Sequence, residues 1–160
     1  MRSEEETNRA IELYSDMIQR LCMIHLKNHA DTEDIFQTVF LKYLTCGVMF
    51  ENESHEKAWF IRVTINACKD LLKSFFRRQT VPIDEINELP ATFSPRDHEI
   101  FNAVLSLPKK YKDVVYLHFY EGYTAPEIGD ILGKNVNTVY TLLTRSKKLL
   151  KEKLGGDDYE

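Results

Sequence analysis

The sequence predicts an all-α protein of two small helical domains joined by a linker, the C-terminal one containing a helix-turn-helix. Three observations carry this. Apolar residues recur at three- and four-residue spacing over long stretches, the period of an amphipathic helix. Six glycines in 160 residues leave few of the turns that sheets need. Residues 79–93, QTVPIDEINELPATF, combine two prolines and several acids with no helical stripe, and read as a linker. The domains are then 1–78 and 94–154, followed by a tail, 155–160.

The first helix spans roughly residues 4–29, with Ser3 and Glu6 at capping-box spacing and a stripe of Ile11, Tyr14, Ile18, Leu21 and His25. Cys22, His25 and His29 share a face at i, i+3 and i+7. With no fourth ligand near, they read as a Cys and two His on a partly buried helix, so no metal or cofactor is expected. Asp31 or Thr32 caps a second helix, about 32–45, whose apolar face is Ile35, Phe36, Val39, Phe40, Tyr43 and Leu44. Asp34 and Gln37 lie one turn apart on the other side. They form either a solvated surface or a partner-docking face, and pattern alone does not choose.

Residues 46–55, CGVMFENESH, read as a loop, and Ser54 caps a third helix that runs to Arg78. In that helix Trp59, Phe60, Val63, Ala67, Leu71, Leu72, Phe75 and Phe76 interleave with Lys57, Arg62, Lys69, Lys73, Arg77 and Arg78. Aromatics among cations suit single-stranded nucleic acid, where bases stack and phosphates pair. The same pattern fits a core helix with snorkelling cations. After the linker, Ser94-Pro95 starts a helix to about Leu105, Leu107-Pro108 breaks it, and Lys109–Tyr120 forms another, ended by Gly122.

Residues 124–150, TAPEIGDILGKNVNTVYTLLTRSKKLL, read as a short helix, a tight turn and a longer basic helix. Thr124 and Glu127 form a capping box, Pro126 sits in the first turn, and Gly133 ends the helix in the left-handed conformation. Asn135 caps the next helix, in which Val136, Val139, Leu143 and Leu150 face inward. Asn137, Thr138, Tyr140, Thr141, Thr144, Arg145, Lys147 and Lys148 face outward. This is the helix-turn-helix layout, although any small helical domain can contain helix–Gly–helix with a solvated basic face.

Charge sharpens the choice. The net charge is −4, but it is segregated: residues 57–78 hold six Lys/Arg and one Asp, and residues 134–153 six Lys/Arg and one Glu. Two basic segments on an acidic chain suggest two contacts with one polyanion. No apolar run approaches the ~18–20 residues that span a bilayer. The start, MRSEEETNR, lacks the apolar centre of a signal peptide. Three cysteines without a CxxC fit a reducing compartment, so a cytoplasmic protein is expected. No Gly-rich phosphate loop, nucleophile–base set or metal cluster stands out, and neither an enzyme nor a small-molecule substrate is expected.

Taken together, the two halves resemble a bacterial RNA polymerase sigma factor of the extracytoplasmic-function (ECF) type over about residues 10–78 and 96–153. Glu33-Asp34-Ile35-Phe36-Gln37-Thr38-Val39-Phe40 is similar to that family's acidic-Asp-x-x-Gln-acidic-x-Phe run. The resemblance implies that Asp34, Gln37 and Phe40 bind core RNA polymerase, with Thr38 in place of the usual acid. Ala58–Asn66 resembles the family's Ala-Trp-Leu-x-x-Ile-Ala-x-Asn run. It implies Phe50, Asn52, Ser54, Trp59, Arg62, Asn66 and Lys69 as contacts to the opened −10 element, with Ile65 where a basic residue is common. Leu107-Pro108, Tyr120–Thr124, Glu127-Ile128, Leu132-Gly133 and Thr138-Val139 match the C-terminal domain, whose second helix reads the −35 element. Asn137, Thr138, Tyr140, Thr141 and Thr144 are candidates for base edges, and Arg145, Lys147 and Lys148 for phosphates. Tyr140 and Leu142 stand where the family often has Lys and Arg.

The expected function is therefore to bind core RNA polymerase and promoter DNA and to promote opening. An anti-sigma factor partner is implied by the resemblance, one that could hold the chain at the inner face of the membrane. A regulator that binds duplex DNA without polymerase would explain the helix-turn-helix but not Asp34, Gln37 and the Trp59–Asn66 run. A helical adaptor would dock on proteins through its helical faces and bind no DNA; Arg145→Ala and Lys148→Ala without effect on function would favour it.

Overall fold

The computed structural model describes residues 1–78 and 95–154, and every regular element among them is helical. The expected linker 79–93, the Ser94 cap and the tail 155–160 lie outside the described residues. The chain divides into two units, Met1–Asn87 and Glu88–Glu160. No helix among the described residues is long and apolar enough to cross a membrane.

The first unit holds α1 (Glu4–Leu26), α2 (His29–Thr45) and α3 (Glu53–Arg77). Ser3 caps α1 as expected, its hydroxyl accepting from the Glu6 N–H at 3.1 Å. The helix stops three residues earlier than the stripe suggests, because Lys27 turns left-handed at φ 60°. Asn28, not Asp31 or Thr32, then caps α2. Its Oδ1 accepts from the Asp31 N–H at 2.8 Å, while its amide donates to the Leu26 carbonyl at 3.0 Å. One fully buried asparagine thus serves the end of one helix and the start of the next. The break also separates buried Cys22 from exposed His29, so the i, i+7 relation drawn for a single helix does not hold. Cys22 instead meets Cys68 of α3, sulfur to sulfur at 3.9 Å.

Asn52, not Ser54, caps α3, its Oδ1 accepting from the His55 N–H at 2.9 Å. Asn is at least as strong a cap as Ser, and this start places Glu53 and Glu56 in the first turn, favourable to the helix dipole. The core contains Ile18, Leu21, Val39, Tyr43, Phe60 and Ile61, with Phe60 within 4.8–5.4 Å of the Tyr14, Phe40, Tyr43 and Trp59 rings. The Thr64 hydroxyl is buried among them without a hydrogen-bond partner.

One carboxylate ties the three helices. Glu56 is 4% exposed. It accepts from Arg9 Nη2 (2.8 and 3.0 Å) and Tyr14 Oη (2.9 Å) of α1, and from Tyr43 Oη (2.9 Å) of α2. Burial works to raise its pKa, but the hydrogen bonds from Arg9, Tyr43 and Tyr14 outweigh burial and hold it below the usual carboxylate value. The Tyr43 phenol is pushed up to about 12, by burial first and the Glu56 bond second.

The second unit holds α4 (Pro95–Leu105), α5 (Lys109–Val115), α6 (Ala125–Leu132) and α7 (Val136–Leu154). The single helix expected over Lys109–Tyr120 changes pitch: after Val115 the chain makes a π-helical turn, Tyr116–Tyr120, closed by the Glu121 N–H on the Tyr116 carbonyl at 3.2 Å. In that turn the Tyr116 and Tyr120 rings stack at 5.3 Å and the Tyr116 hydroxyl bonds Glu121. Gly122, at φ 80°, ends it.

The capping box of α6 forms in both directions: Thr124 Oγ1 accepts from the Glu127 N–H at 3.3 Å, and Glu127 Oε1 accepts from the Thr124 N–H at 2.9 Å. The Thr124 N–H and the Thr124 hydroxyl, both donating to Glu127 Oε1 at 2.9 Å, hold the Glu127 carboxyl below its ordinary pKa. Gly133 is left-handed at φ 67°. Gly129 is the tighter constraint, because a Cβ there would lie 2.8 Å from the Lys134 carbonyl oxygen. The Gly129 carbonyl in turn accepts the N–H groups of Gly133 and Lys134, which folds the turn back on α6. Phe101, Val114, Leu117, Ile128, Val139, Leu143 and Leu150 are buried in this unit.

Two stability predictions result. Glu56→Ala should cost the first unit about 2–4 kcal/mol by stranding buried donors and a charge partner. Because the Glu56 pKa is depressed on folding, its stabilisation is present above the unfolded-state value and fades as pH falls through the folded one. Urea unfolding read by Trp59 fluorescence should show an acid limb below about pH 5 that Glu56→Gln flattens; identical limbs would refute it. In the second unit Gly129→Ala should cost about 1–3 kcal/mol by forcing the turn apart. Gly133→Ala, whose Cβ meets open space, should cost only the left-handed backbone, about 1–2 kcal/mol. Thermal melts that rank Gly133→Ala clearly worse would overturn that order.

Candidate partner and nucleic-acid interfaces

On α2, Glu33, Asp34, Gln37 and Thr38 are exposed. The Thr38 hydroxyl donates to the Asp34 carbonyl at 2.9 Å, so its methyl faces outward with the carboxylate and carboxamide. Phe40 does not share this face. It is 6% exposed and packs on the Phe36, Tyr43 and Phe60 rings, so it supports the helix from beneath. The residue that joins Asp34 and Gln37 is Leu41, 61% exposed, at i+7 and i+4 from them. Its signal in the sequence is an apolar residue outside the apolar stripe.

Loop 46–52 and α3 gather the second set. Phe50 is half-buried: it stacks near-parallel on Tyr43 at 6.2 Å and meets Trp59 and His55 edge-on at 5.7 and 5.3 Å. Trp59 is likewise half-buried against Phe60 and Tyr43. Asn52 is exposed, and its side-chain oxygen accepts the α3 cap bond. Ser54 lies exposed in the first turn of α3 instead of capping it. Arg62 and Asn66 are exposed and Lys69 half-buried. At i, i+4 and i+7 they continue from Trp59 as one stripe, which Lys73 extends to about 21 Å at the helical rise. Ile65 is 2% exposed, so its position turns into the core and not toward this stripe. The first unit also has a cleft of about 440 Å³ beside the loop, lined by Arg2, Glu6, Arg9, Phe50, Asn52 and Glu53 among others.

On α7, Asn137, Thr138, Tyr140, Thr141, Thr144, Arg145 and Lys148 are all exposed. Asn137, Thr141, Thr144 and Lys148 run along the centre of the outer face at helical spacing. Thr141 and Thr144 donate their hydroxyl protons to the Asn137 and Tyr140 carbonyls at 3.0 and 2.9 Å. They therefore present lone pairs and methyls. Lys147 differs from the expectation. It is half-buried and falls one turn from buried Leu143 and Leu150, at the edge of the helix that packs inward. Ser146, missed by the apolar pattern, is fully buried and bonds the Leu143 carbonyl at 2.8 Å. The Asn135 cap forms as expected, on the Asn137 N–H at 2.8 Å.

Among the described residues, no three His, Cys, Asp or Glu side chains are placed to hold a metal ion together.

Known proteins share this arrangement. A family model for sigma-70 region 2 matches residues 10–79, and one for sigma-70 region 4 matches residues 97–150. The chain is 30% identical over 141 residues to the RNA polymerase sigma factor SigV of Bacillus subtilis, covering 87% of this chain and 85% of that one. It is 25% identical over 161 residues to the ECF RNA polymerase sigma factor SigW of the same organism, covering 90% and 86%. Its fold matches the sigma factor RpoE of Bartonella quintana, solved with the anti-sigma factor NepR, at a TM-score of 0.80 and 20% identity over 96% of this chain and 99% of that one. It also matches CnrH, solved with the cytosolic domain of CnrY, at a TM-score of 0.68 and 16% identity over 98% and 92%. With sigma-70 regions 2 and 4 following one another along it, and a 30%-identical relative spanned over most of its length, this chain belongs to the RNA polymerase sigma factors of the extracytoplasmic-function type.

Proposed function

We propose that this chain is a promoter-specificity subunit: it binds bacterial core RNA polymerase, recognises the −35 and −10 elements, and promotes opening of the DNA. The observation that carries the reading is the presence of sigma-70 regions 2 and 4 in one chain, each bearing an exposed face suited to its partner. Residues 1–78 take the core polymerase and the −10 element, and residues 94–154 the −35 element. The chain is not itself a catalyst; the phosphodiester chemistry belongs to the polymerase. It works in the cytoplasm. The sigma factor RpoE, whose fold this chain shares, is bound by the anti-sigma factor NepR in its solved complex, which supports control by such a partner, one that could hold the chain at the inner face of the membrane.

In this reading the exposed face Asp34–Gln37–Leu41 docks on core polymerase, with Leu41 as the apolar anchor between polar neighbours. The α7 face enters the major groove at −35. There Thr141 and Thr144, as acceptors with outward methyls, suit the amino groups of adenine or cytosine and the methyl of thymine, while Arg145 and Lys148 take phosphates. Lys147, at the packed edge, contributes less. The Trp59–Lys69 stripe and loop 46–52 capture the opened non-template strand at −10. Unstacking costs a few kcal/mol per base, offset by capture. With one lone pair of its carbonyl oxygen used in capping, Asn52 offers its amide N–H groups to acceptor atoms on a base edge.

Co-elution with sigma-free core polymerase, followed by sequencing of the transcripts it initiates, tests the proposal. Stable association and start sites sharing one pair of promoter motifs are expected; no association of the folded, inhibitor-free chain would overturn it. Asp34→Ala combined with Gln37→Ala should weaken core binding by about 10-fold or more with the melting temperature unchanged; equal affinity would remove the docking face from α2. Arg145→Ala with Lys148→Ala should reduce the salt slope of −35 binding by about 2. An unaltered slope would assign the phosphate contacts elsewhere.

A further inference from the structure

The geometry points to Arg2 as a positioning residue for −10 recognition, one that holds loop 46–50, and with it Phe50, in the shape that receives the opened strand. The inference rests on the function proposed above and concerns a residue outside both sigma-70 matches, which begin at residues 10 and 97.

Arg2 ties the start of the chain to the far end of α2 and the loop beyond. Its Nε donates to the Tyr43 carbonyl at 2.8 Å and its Nη2 to the Val48 carbonyl at 2.6 Å. Its backbone N–H donates to the Leu44 carbonyl at 3.2 Å. The guanidinium carbon lies 4.3 Å from the Tyr43 ring centroid and 5.0 Å from that of Phe50. One side chain thus holds a carbonyl in the last turn of α2 and a carbonyl in the loop, and lies against both rings of the Tyr43–Phe50 pair. The cation also sits where the negative end of the α2 dipole and its unpaired carbonyls favour one.

The tie is specific to arginine and is well sheltered. The Arg2 side chain is 12% exposed, and its charge partner Glu6, at 3.7 Å, is 55% exposed. At that distance, with Glu6 open to solvent, the pair contributes little, so the hold comes from the fork. Two carbonyls five residues apart need two separate N–H groups at a fixed spread, which a lysine ammonium on a flexible stem does not supply. The loop needs the hold: Gly47 is exposed, Met49 is 87% exposed, and the chain must turn through it to reach the Asn52 cap. A loop already set in its binding shape does not have to be ordered when the strand arrives, so preorganisation converts directly into capture and into discrimination between bases.

The test uses the whole chain bound to core polymerase, with the promoter identified by transcript sequencing, and compares wild type, Arg2→Ala and Arg2→Lys. Amide exchange at residues 46–50 should quicken by about 10-fold in Arg2→Ala, with core amides of α1 and α3 within about 2-fold. Open-complex formation should lose about 5-fold of its discrimination between the native −10 element and single-base variants. Core affinity and −35 binding should stay within about 2-fold. Arg2→Lys should fail to restore the discrimination although it restores the charge. Unchanged loop exchange and unchanged discrimination would overturn the proposal. So would a loss equal on all −10 variants and accompanied by weaker core binding, which would mark Arg2 as a general fold residue. Failure of the wild-type chain to bind core overturns the functional reading and this inference together; wild-type opening with an indifferent Arg2→Ala overturns this inference alone.

Discussion

The Glu56 carboxylate is the constraint on which the first unit depends. A buried charge is tolerable only when its oxygens are satisfied, and here the donors come from two different helices: Arg9 and Tyr14 on α1 and Tyr43 on α2. Satisfying it fixes where α3 begins relative to both. Tyr43 then carries the constraint outward. Its hydroxyl serves Glu56, its ring lies beside Phe50 and the Arg2 guanidinium, and its carbonyl accepts from Arg2. The loop that faces the −10 strand in the proposed function is thus connected to the core through one tyrosine. The aromatic cluster around Phe60 supplies burial, but apolar contact is non-directional; the carboxylate adds the direction.

In the second unit the comparable constraint is steric. The close approach of Lys134 to Gly129 sets the path from α6 into α7 before any side chain of α7 is considered. Under the proposed function α7 enters a groove and must be held from behind, and Val139, Leu143, Ser146 and Leu150, all buried, hold it. The polar outer face is then free of structural duties, except that Thr141 and Thr144 bond back to their own helix. That back-bonding converts hydroxyls that could donate or accept into acceptors, which narrows what the face can read.

Much of this was legible in the sequence, and the misses share a cause. Periodicity and local chemistry located the helices, the Thr124 capping box and the left-handed Gly133, because each is decided within a few residues. The Asn28 and Asn52 caps were displaced because Ser54, Asp31 and Thr32 are locally as good. What selects between them is tertiary: Asn28 also bonds the end of α1, and starting α3 at Glu53 sets Glu56 among its distant donors. The π turn after Val115 carries no sequence period of its own. Position in a run points Phe40 and Lys147 to interfaces; their burial depends on which neighbour covers the helix, and Phe60 and the Leu143–Leu150 edge are the neighbours. Arg2 was unreadable for the same reason, since its partners lie 41 and 46 residues away.

The charge distribution bears on how such a protein avoids binding DNA indiscriminately. The chain is acidic overall, yet the stripes on α3 and α7 are locally basic, one in each unit. Counterion release rewards every phosphate met, so a single strongly basic surface would bind any duplex. Splitting the positive charge between two units keeps each contact weak alone. Under the proposed function both gain only when a partner fixes their spacing and turns the second contact into an intramolecular one, whose effective concentration depends on geometry. In that proposal selectivity lies less in the strength of either face than in the requirement that both be satisfied at once, with the −10 face satisfied only by a strand that has already left its duplex.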